Sequence, residues 1–363
     1  MRLVVTGGGT GGHVYPALEI AREARHAGWE VSYLGSLRGQ EGRLCERAGL
    51  PFQGLPSEPL WSLRRLRGWR SLIRLARASR MARVHLRRNR PDAVFSTGGY
   101  AAGPVLHAAA GEGVPYVVHE QNAVPGRSSL LFSKRARCVG TVFRSGEEAF
   151  PGARVVRTGM PVRGAFRGGC AHCPAPGHER SGERPVLLVM GGSQGAEALN
   201  DFCLATAVRM ARARVRWLHV AGPALYEGMV RSKRTMGVDG DYEIRAYLEA
   251  DDLASAMATC SLTICRSGAG TMAELAAARK PAVLVPYPHA FGDHQTANAR
   301  EFEAMGAASV IAQRDLDPCA LESRILEWLE DAERPRRAAG ALAAWDVPDA
   351  ARRLLELIEE AAG

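Results

Sequence analysis

The chain has 363 residues, 46% of them hydrophobic and 23% charged, the proportions of a soluble globular protein with length enough for two domains. Its formal net charge of +9 favours an anionic partner such as a nucleotide, nucleic acid or acidic lipid, without choosing among them. No apolar run approaches the about 18 residues of a membrane span, the apolar opening breaks into glycines too soon for a secretory signal, and the eight scattered cysteines suggest no disulfide framework, so a reducing cytosol is expected.

Leu3 to Thr6 reads as a short buried strand that runs at once into Gly7-Gly-Gly-Thr-Gly-Gly-His13, and Pro16 is placed to open a helix through about Ala27. Gly7, Gly9 and Gly12 satisfy the spacing of a dinucleotide fingerprint. The second strand, Val31 to Leu34, ends in Gly35-Ser36, however, without the acid a ribose needs, and no Gly-Lys-Ser/Thr follows as in a P-loop. What survives is a glycine loop suited to phosphate or sugar, carrying one histidine. Two readings of His13 stand side by side: a hydrogen-bonding residue of the fold, or a general base for a sugar hydroxyl, to which an imidazole of ordinary pKa ~6.5 is suited.

Between Leu60 and Pro91 there is no acidic residue, while eleven arginines from Arg64 to Arg90 interleave with Leu66, Trp69, Ile73, Leu75 and Leu86. This reads either as one or two amphipathic helices with a solvated basic face or as a surface that sits on anionic lipid. No nucleic-acid motif is found. Asp92 to Ser96 is the next strand, followed by a second glycine loop, Thr97-Gly-Gly-Tyr100, and a helix from Val105 to Ala110. Val114 to Val118 then runs into His119-Glu-Gln-Asn122, and four polar side chains directly after a buried strand read as a site.

The composition of Gly164 to Pro185, rich in Gly, Pro, Arg and His, marks a linker. The expected organisation is therefore a first domain over 1–163, a linker over 164–185, a second domain over 186–345, and a final helical segment over 346–363 that crosses back onto the first. Cys170 and Cys173 have metal-like spacing but no second pair, so a zinc site there is the minority reading. Val186 to Met190, Gly191-Gly-Ser-Gln-Gly195 and a helix from Ala196 to Met210 repeat the strand, glycine loop and helix of the N-terminus. Ser193 either caps that helix or holds a phosphate at it. Asp239-Gly-Asp241 is better explained by turn chemistry than as a metal site.

The densest polar cluster follows the strand Leu262 to Cys265: Arg266, Ser267-Gly268-Ala269-Gly270, a helix from Thr271 to Arg279, the strand Ala282 to Val285, and then His289, Asp293, Gln295 and Asn298. Small residues at a helix start offer unpaired N–H groups and the positive dipole end to a phosphate. Glu274 lies three residues after Thr271, the spacing of a capping box. Its alternative role is to accept two hydrogen bonds from a ribose diol, and the neighbouring phosphate-ready amides favour the second reading.

Taken in order, Gly8-Gly-Thr-Gly-Gly-His-Val14, Thr97-Gly-Gly-Tyr100, His119-Glu-Gln-Asn122, Gly191-Gly-Ser-Gln-Gly195, Cys265-Arg-Ser-Gly-Ala269 and Asp293-His-Gln295 resemble the MurG family of N-acetylglucosaminyltransferases over nearly the whole chain. The resemblance implies an α/β GT-B fold, two Rossmann-like domains facing each other across a cleft. It implies inverting transfer of GlcNAc from UDP-GlcNAc to the C4 hydroxyl of the MurNAc-peptide on undecaprenyl pyrophosphate, at the cytoplasmic face of the inner membrane, with no metal or other cofactor. It brings Thr10, Gly11 and Gly12 near the donor's diphosphate and sugar, and Asn122, Arg163 and Ser193 to the donor. Ala269, Gly270, Thr271 and Met272 would line the uridine and sugar pocket, Glu274 would take the ribose hydroxyls, and Gln295 and Asn298 would read the GlcNAc hydroxyls. His13 is the implied base, with Glu120 as its rival. The family's backbone contact to uracil precedes an Asp-Asp pair, here Asp251-Asp252. Met160, Ser129 and Thr296 depart from the family pattern at positions that bear on acceptor contacts.

Overall fold

A computed structural model describes the chain apart from residues 10, 60–65, 168–183, 193–194 and 239, with backbone alone for residues 66–69. It divides into two compact units, Met1–Val162 with Asp349–Gly363, and Arg163–Pro348.

The first unit is built on a seven-stranded sheet of β1 (Arg2–Thr6), β2 (Glu30–Ser36), β3 (Phe52–Leu55), β4 (Ala93–Ser96), β5 (Tyr116–Glu120), β6 (Cys138–Thr141) and β7 (Val155–Arg157), in the order β3-β2-β1-β4-β5-β6-β7. All pairings are parallel. Helices must therefore cover both faces, and the strands read as continuous apolar runs. Along β1, Leu3 and Val5 enter one core with Ile20, Phe95 and Val117, while Val4 enters the other with Leu34, Val94 and Val105. The last helix, Ala350–Ala362, buries Leu354, Ile358 and Ala361 in the first of these cores, the i, i+4, i+7 stripe of an amphipathic helix. Arg154 fixes its end by a two-pronged pair with Glu360 at 2.5 and 3.0 Å.

The second unit repeats the plan with β8 (Val186–Met190), β9 (Arg216–Val220), β10 (Tyr242–Arg245), β11 (Leu262–Cys265), β12 (Ala282–Leu284) and β13 (Ala308–Val310), all parallel, in the order β10-β9-β8-β11-β12-β13. In each unit the strand order reverses between its first and fourth strands, the place where doubly wound sheets receive ligands. Those ends carry Gly7–Gly9 and Thr97–Tyr100 in one unit, and Gly191, Gly192 and Arg266–Gly268 in the other.

Several elements differ from expectation. The first helix begins at Gly11 and contains Pro16 instead of starting there. The chain has completed its reversal at Gly9, whose φ is +98°, so nothing keeps it extended as far as the proline. Strand β5 continues through His119 and Glu120, which pair with Gly140 and Thr141, so these two residues belong to the sheet and not to the loop after it. Among its described residues the basic stretch forms one helix, Leu66–Asn89. Ser71, Ala78, Ala82 and Leu86 face inward, while Ile73 and Val84 are 68% and 60% exposed. Among the described residues no helix is long and apolar enough to cross a membrane.

Candidate functional site

In the first unit the two glycine loops meet. The Gly8 N–H donates to Gly98 O at 3.3 Å, and a Cβ on Gly99 (φ +82°) would lie 2.0 Å from Gly8 O, so only glycine allows the approach. The Gly9 N–H is held by the Glu41 carboxylate at 3.0 Å, and Thr97 Oγ1 donates to His13 O at 2.7 Å. His13 is half-buried, and its Nδ1 lies 2.8 Å from Thr97 O and 2.7 Å from Gln121 Oε1. Both neighbours are acceptors, so Nδ1 carries the proton and the lone pair resides on Nε2. A histidine in this tautomer is able to accept a proton at Nε2.

Both oxygens of Glu120 accept hydrogen bonds. One oxygen accepts from the Asn122 N–H at 3.0 Å and the Asn122 amide at 3.4 Å, and the other from the Gly126 N–H at 3.0 Å. It is 1% exposed and organises the loop that follows β5.

In the second unit β11 ends at the turn Arg266–Gly268, and the next helix, Ala269–Ala278, starts with Gly268 as its N-cap. The N–H groups of Ala269, Gly270 and Thr271 thus have no carbonyl one turn back, whereas the Met272 N–H donates to Gly268 O at 3.0 Å. This start, two residues before Thr271, removes the capping-box reading of Glu274, which sits in the second turn. Instead its carboxylate receives Arg163 Nη2 at 2.6 Å. The Glu274 side chain is only 16% exposed, and burial raises its pKa from the ordinary carboxylate value against the opposing pull of Arg163.

The turn is braced from three sides. Ser267 Oγ donates to Gln295 O at 2.8 Å, and the Asn298 amide donates to Ser267 O at 3.1 Å. The buried Arg266 guanidinium donates to Val285 O, Pro286 O and Gln313 Oε1 at 2.7 to 3.1 Å. A preorganised helix start beside a partly shielded carboxylate can receive an anionic group at its amides and a diol at the carboxylate.

Residues 3–141 match the glycosyltransferase family 28 N-terminal domain, and residues 186–354 the family 28 C-terminal domain. The chain is 39% identical to the UDP-N-acetylglucosamine--N-acetylmuramyl-(pentapeptide) pyrophosphoryl-undecaprenol N-acetylglucosamine transferase of Moorella thermoacetica, over 99% of this chain and 98% of that one. It is 40% identical to the enzyme of the same name from Nitratidesulfovibrio vulgaris (strain Hildenborough), over 99% and 97%. The crystal structure of Acinetobacter baumannii MurG matches it with a TM-score of 0.81 at 28% identity, covering 99% of each chain. The chain belongs to the MurG family of glycosyltransferases.

Within this MurG-family chain the fold is the expected pair of Rossmann-like units of the GT-B class. The residues singled out from sequence fall into two groups. His13, Gly11, Gly12, Glu120 and Asn122 gather at the strand ends of the first unit. Arg163, Ala269, Gly270, Thr271, Glu274 and Gln295 gather in the second. Thr10 and Ser193 lie outside the described residues, as do Cys170, Cys173 and Asp239. Met272 and Asn298 are both 0% exposed. The Met272 side chain packs into the helix's buried face, and Asn298 braces the turn from behind. Gln295 Oε1 accepts from the Tyr287 N–H at 3.0 Å. Asp251 and Asp252 occupy the first turn of the helix Ala250–Thr259.

Glu41, Gln121 and Arg266 were not assigned roles from sequence. Each acts through a partner distant in the chain, and no local spacing signals that. Among the described residues no group of three or more His, Cys, Asp or Glu is arranged to hold a metal ion.

Proposed function

We propose that this chain transfers GlcNAc from UDP-GlcNAc to the C4 hydroxyl of the N-acetylmuramyl sugar of an undecaprenyl-pyrophosphoryl-MurNAc-peptide, inverting the anomeric centre. This is the step that turns lipid I into lipid II in peptidoglycan synthesis. The observation that carries the reading is the Glu274 carboxylate, sunk one turn into a helix whose first amides are bare, in a chain 39% identical throughout to an enzyme named for that transfer. The donor's ribose diol hydrogen-bonds Glu274, and its diphosphate takes the amides of Ala269 to Thr271 with Arg163. Asn122 and Gln295 contact the sugar, and His13 Nε2 takes the proton from the acceptor hydroxyl as the new C–O bond forms and UDP departs.

Charge developing on UDP is met by these donors. Hydrogen bonds to a charged group contribute ~1.5–3 kcal/mol each, and a helix start up to ~2 in a partly buried site. Several together supply what a divalent cation supplies elsewhere. The test is transfer from labelled UDP-GlcNAc to a short-chain lipid I analogue, with and without chelator. The same rate in both is expected. Strict dependence on added magnesium or manganese, or sugar turnover without the lipid acceptor, would overturn the reading.

The enzyme works as a peripheral protein on the cytoplasmic face of the inner membrane, and the helix Leu66–Asn89 supports this. Ile73, Arg77, Arg80 and Val84 fall at i, i+4, i+7 and i+11, on the side opposite Ser71, Ala78 and Ala82. Arg74 pairs with Glu58, and Arg83 and Arg87 pair with Glu112. Arg70, Arg77, Arg80 and Arg88 make no ion pair among the described residues. At ~1 kcal/mol per basic residue near an anionic surface, four give reversible attachment. Co-sedimentation with vesicles containing phosphatidylglycerol is expected, with release at about 0.5 M salt, where the Debye length shrinks to a few ångströms. Arg77→Glu with Arg80→Glu should abolish it. Equal binding to purely zwitterionic vesicles would refute the proposal.

A further inference from the structure

His13 does not set its own protonation pattern. Gln121, 1% exposed, lies between it and β5 with its amide fixed from behind. The Gln121 NH2 group faces two acceptors, His119 O at 2.6 Å and His119 Nδ1 at 3.1 Å, so the amide oxygen has only one direction left, towards His13 Nδ1 at 2.7 Å. His119 is oriented in its turn, since its Nε2 lies 2.9 Å from Gly159 O and must carry the hydrogen, which leaves Nδ1 as the acceptor Gln121 needs. Burial pushes the pKa of His119 down to about 4, so the ring stays neutral at working pH and the direction of the chain of bonds does not change.

We propose that Gln121 is a positioning residue for the transfer, holding His13 in the Nδ1–H tautomer with Nε2 bare, its own orientation imposed by His119 and Gly159. Thr97 O is the second acceptor on Nδ1 and cannot by itself fix the ring's plane, because a single bond leaves rotation about its axis. Gln121 Oε1 supplies the second point. It also faces the proton that stays on Nδ1 when Nε2 takes the acceptor's proton, so its bond strengthens as the ring becomes cationic.

The functional part of this inference rests on His13 being the base, whereas the tautomer is measurable without turnover. In the full chain labelled with 15N-histidine, and with His13 assigned by loss of its signals in His13→Gln, the neutral ring should show a protonated Nδ1 and a bare Nε2. Gln121→Leu keeps the bulk and removes the acceptor. It should give a measurable Nε2–H fraction and lower kcat about 10- to 100-fold, the size of one hydrogen bond to a group that becomes charged, with KM for UDP-GlcNAc unchanged within about twofold. Gln121→Glu retains the acceptor oxygen, and its protonated form retains a donor for His119 O. It should keep Nδ1 protonated and recover most of the kcat.

A merely structural role predicts equal damage from both variants with wild-type nitrogen signals, and that result would overturn the proposal. So would a wild-type His13 protonated at Nε2, or a Gln121→Leu protein with unchanged spectra and kcat. Full kcat in His13→Gln would sink the base reading alone, leaving the orientation of His13 to be judged from the spectra.

Discussion

Glu274→Ala is expected to lower kcat/KM for UDP-GlcNAc by roughly 100- to 10,000-fold, chiefly through KM, while leaving affinity for the lipid acceptor alone. A ribose diol makes two hydrogen bonds to this carboxylate, each worth ~1.5–3 kcal/mol because the acceptor is charged, and together they convert to that range. The carboxylate is mostly shielded and already paired with Arg163 at 2.6 Å, so the ribose meets a group whose position is set before it arrives. Fold stability should change little, because Arg163 remains one-third exposed and can turn to water.

The decisive comparison uses a donor lacking the 2′-hydroxyl. Wild type should lose about 10-fold or more with it, and Glu274→Ala should lose far less, since the partner of that hydroxyl is already gone. Equal penalties in both proteins would show that the ribose is read elsewhere. The sign of the pH dependence follows. Burial raises the pKa of Glu274, and only the carboxylate form accepts both hydroxyls, so donor use should weaken as pH falls through that raised value.

How much of this was legible in the sequence depends on how far each residue acts from its own neighbourhood. Each glycine loop announces itself because a buried apolar strand has to stop where the backbone reverses, and the Gly99 approach to Gly8 admits no side chain. The Cys265-Arg-Ser-Gly-Ala269 turn was legible for the same reason. Helix starts were less so. Pro16 and Thr271 are both acceptable first residues by propensity, yet Gly9 and Gly268 turn the chain earlier, and a propensity of under ~1 kcal/mol yields to that geometry. Glu274 and Arg163 each stand out in the sequence, but their pairing does not, because they lie 111 residues apart. Asn298 invites reading as a ligand contact because it is a polar residue near a strand's end, and nothing in the local sequence shows that its amide holds the turn at Ser267. Its full burial is a tertiary fact, set by the packing of the helix His294–Ala304 on the turn at Ser267.

His13→Gln should lower kcat by about 100- to 10,000-fold, the usual contribution of a general base, with KM for UDP-GlcNAc nearly unchanged. The proton has to leave the acceptor hydroxyl as the C–O bond forms, and it needs a lone pair that no protein donor has taken. His13 Nε2 meets that requirement, because both hydrogen-bonding neighbours of the ring lie at Nδ1. Glu120 is 1% exposed and each of its oxygens already accepts a backbone N–H of the loop it supports, so its remaining lone pairs are shielded and its position is tied to that loop.

Glu120→Gln must turn an NH2 against one of those N–H groups, so its expected cost is about 1–3 kcal/mol of loop or fold stability, read as a lower melting temperature and a raised acceptor KM. The two variants therefore separate by parameter as well as by size. Loss of kcat with intact binding marks the residue that moves the proton, and loss of binding and stability marks the residue that holds the loop. If Glu120→Gln lost kcat alone while His13→Gln kept it, the roles would be exchanged, and the loop from Asn122 to Gly126 would have to open the buried carboxylate to the acceptor.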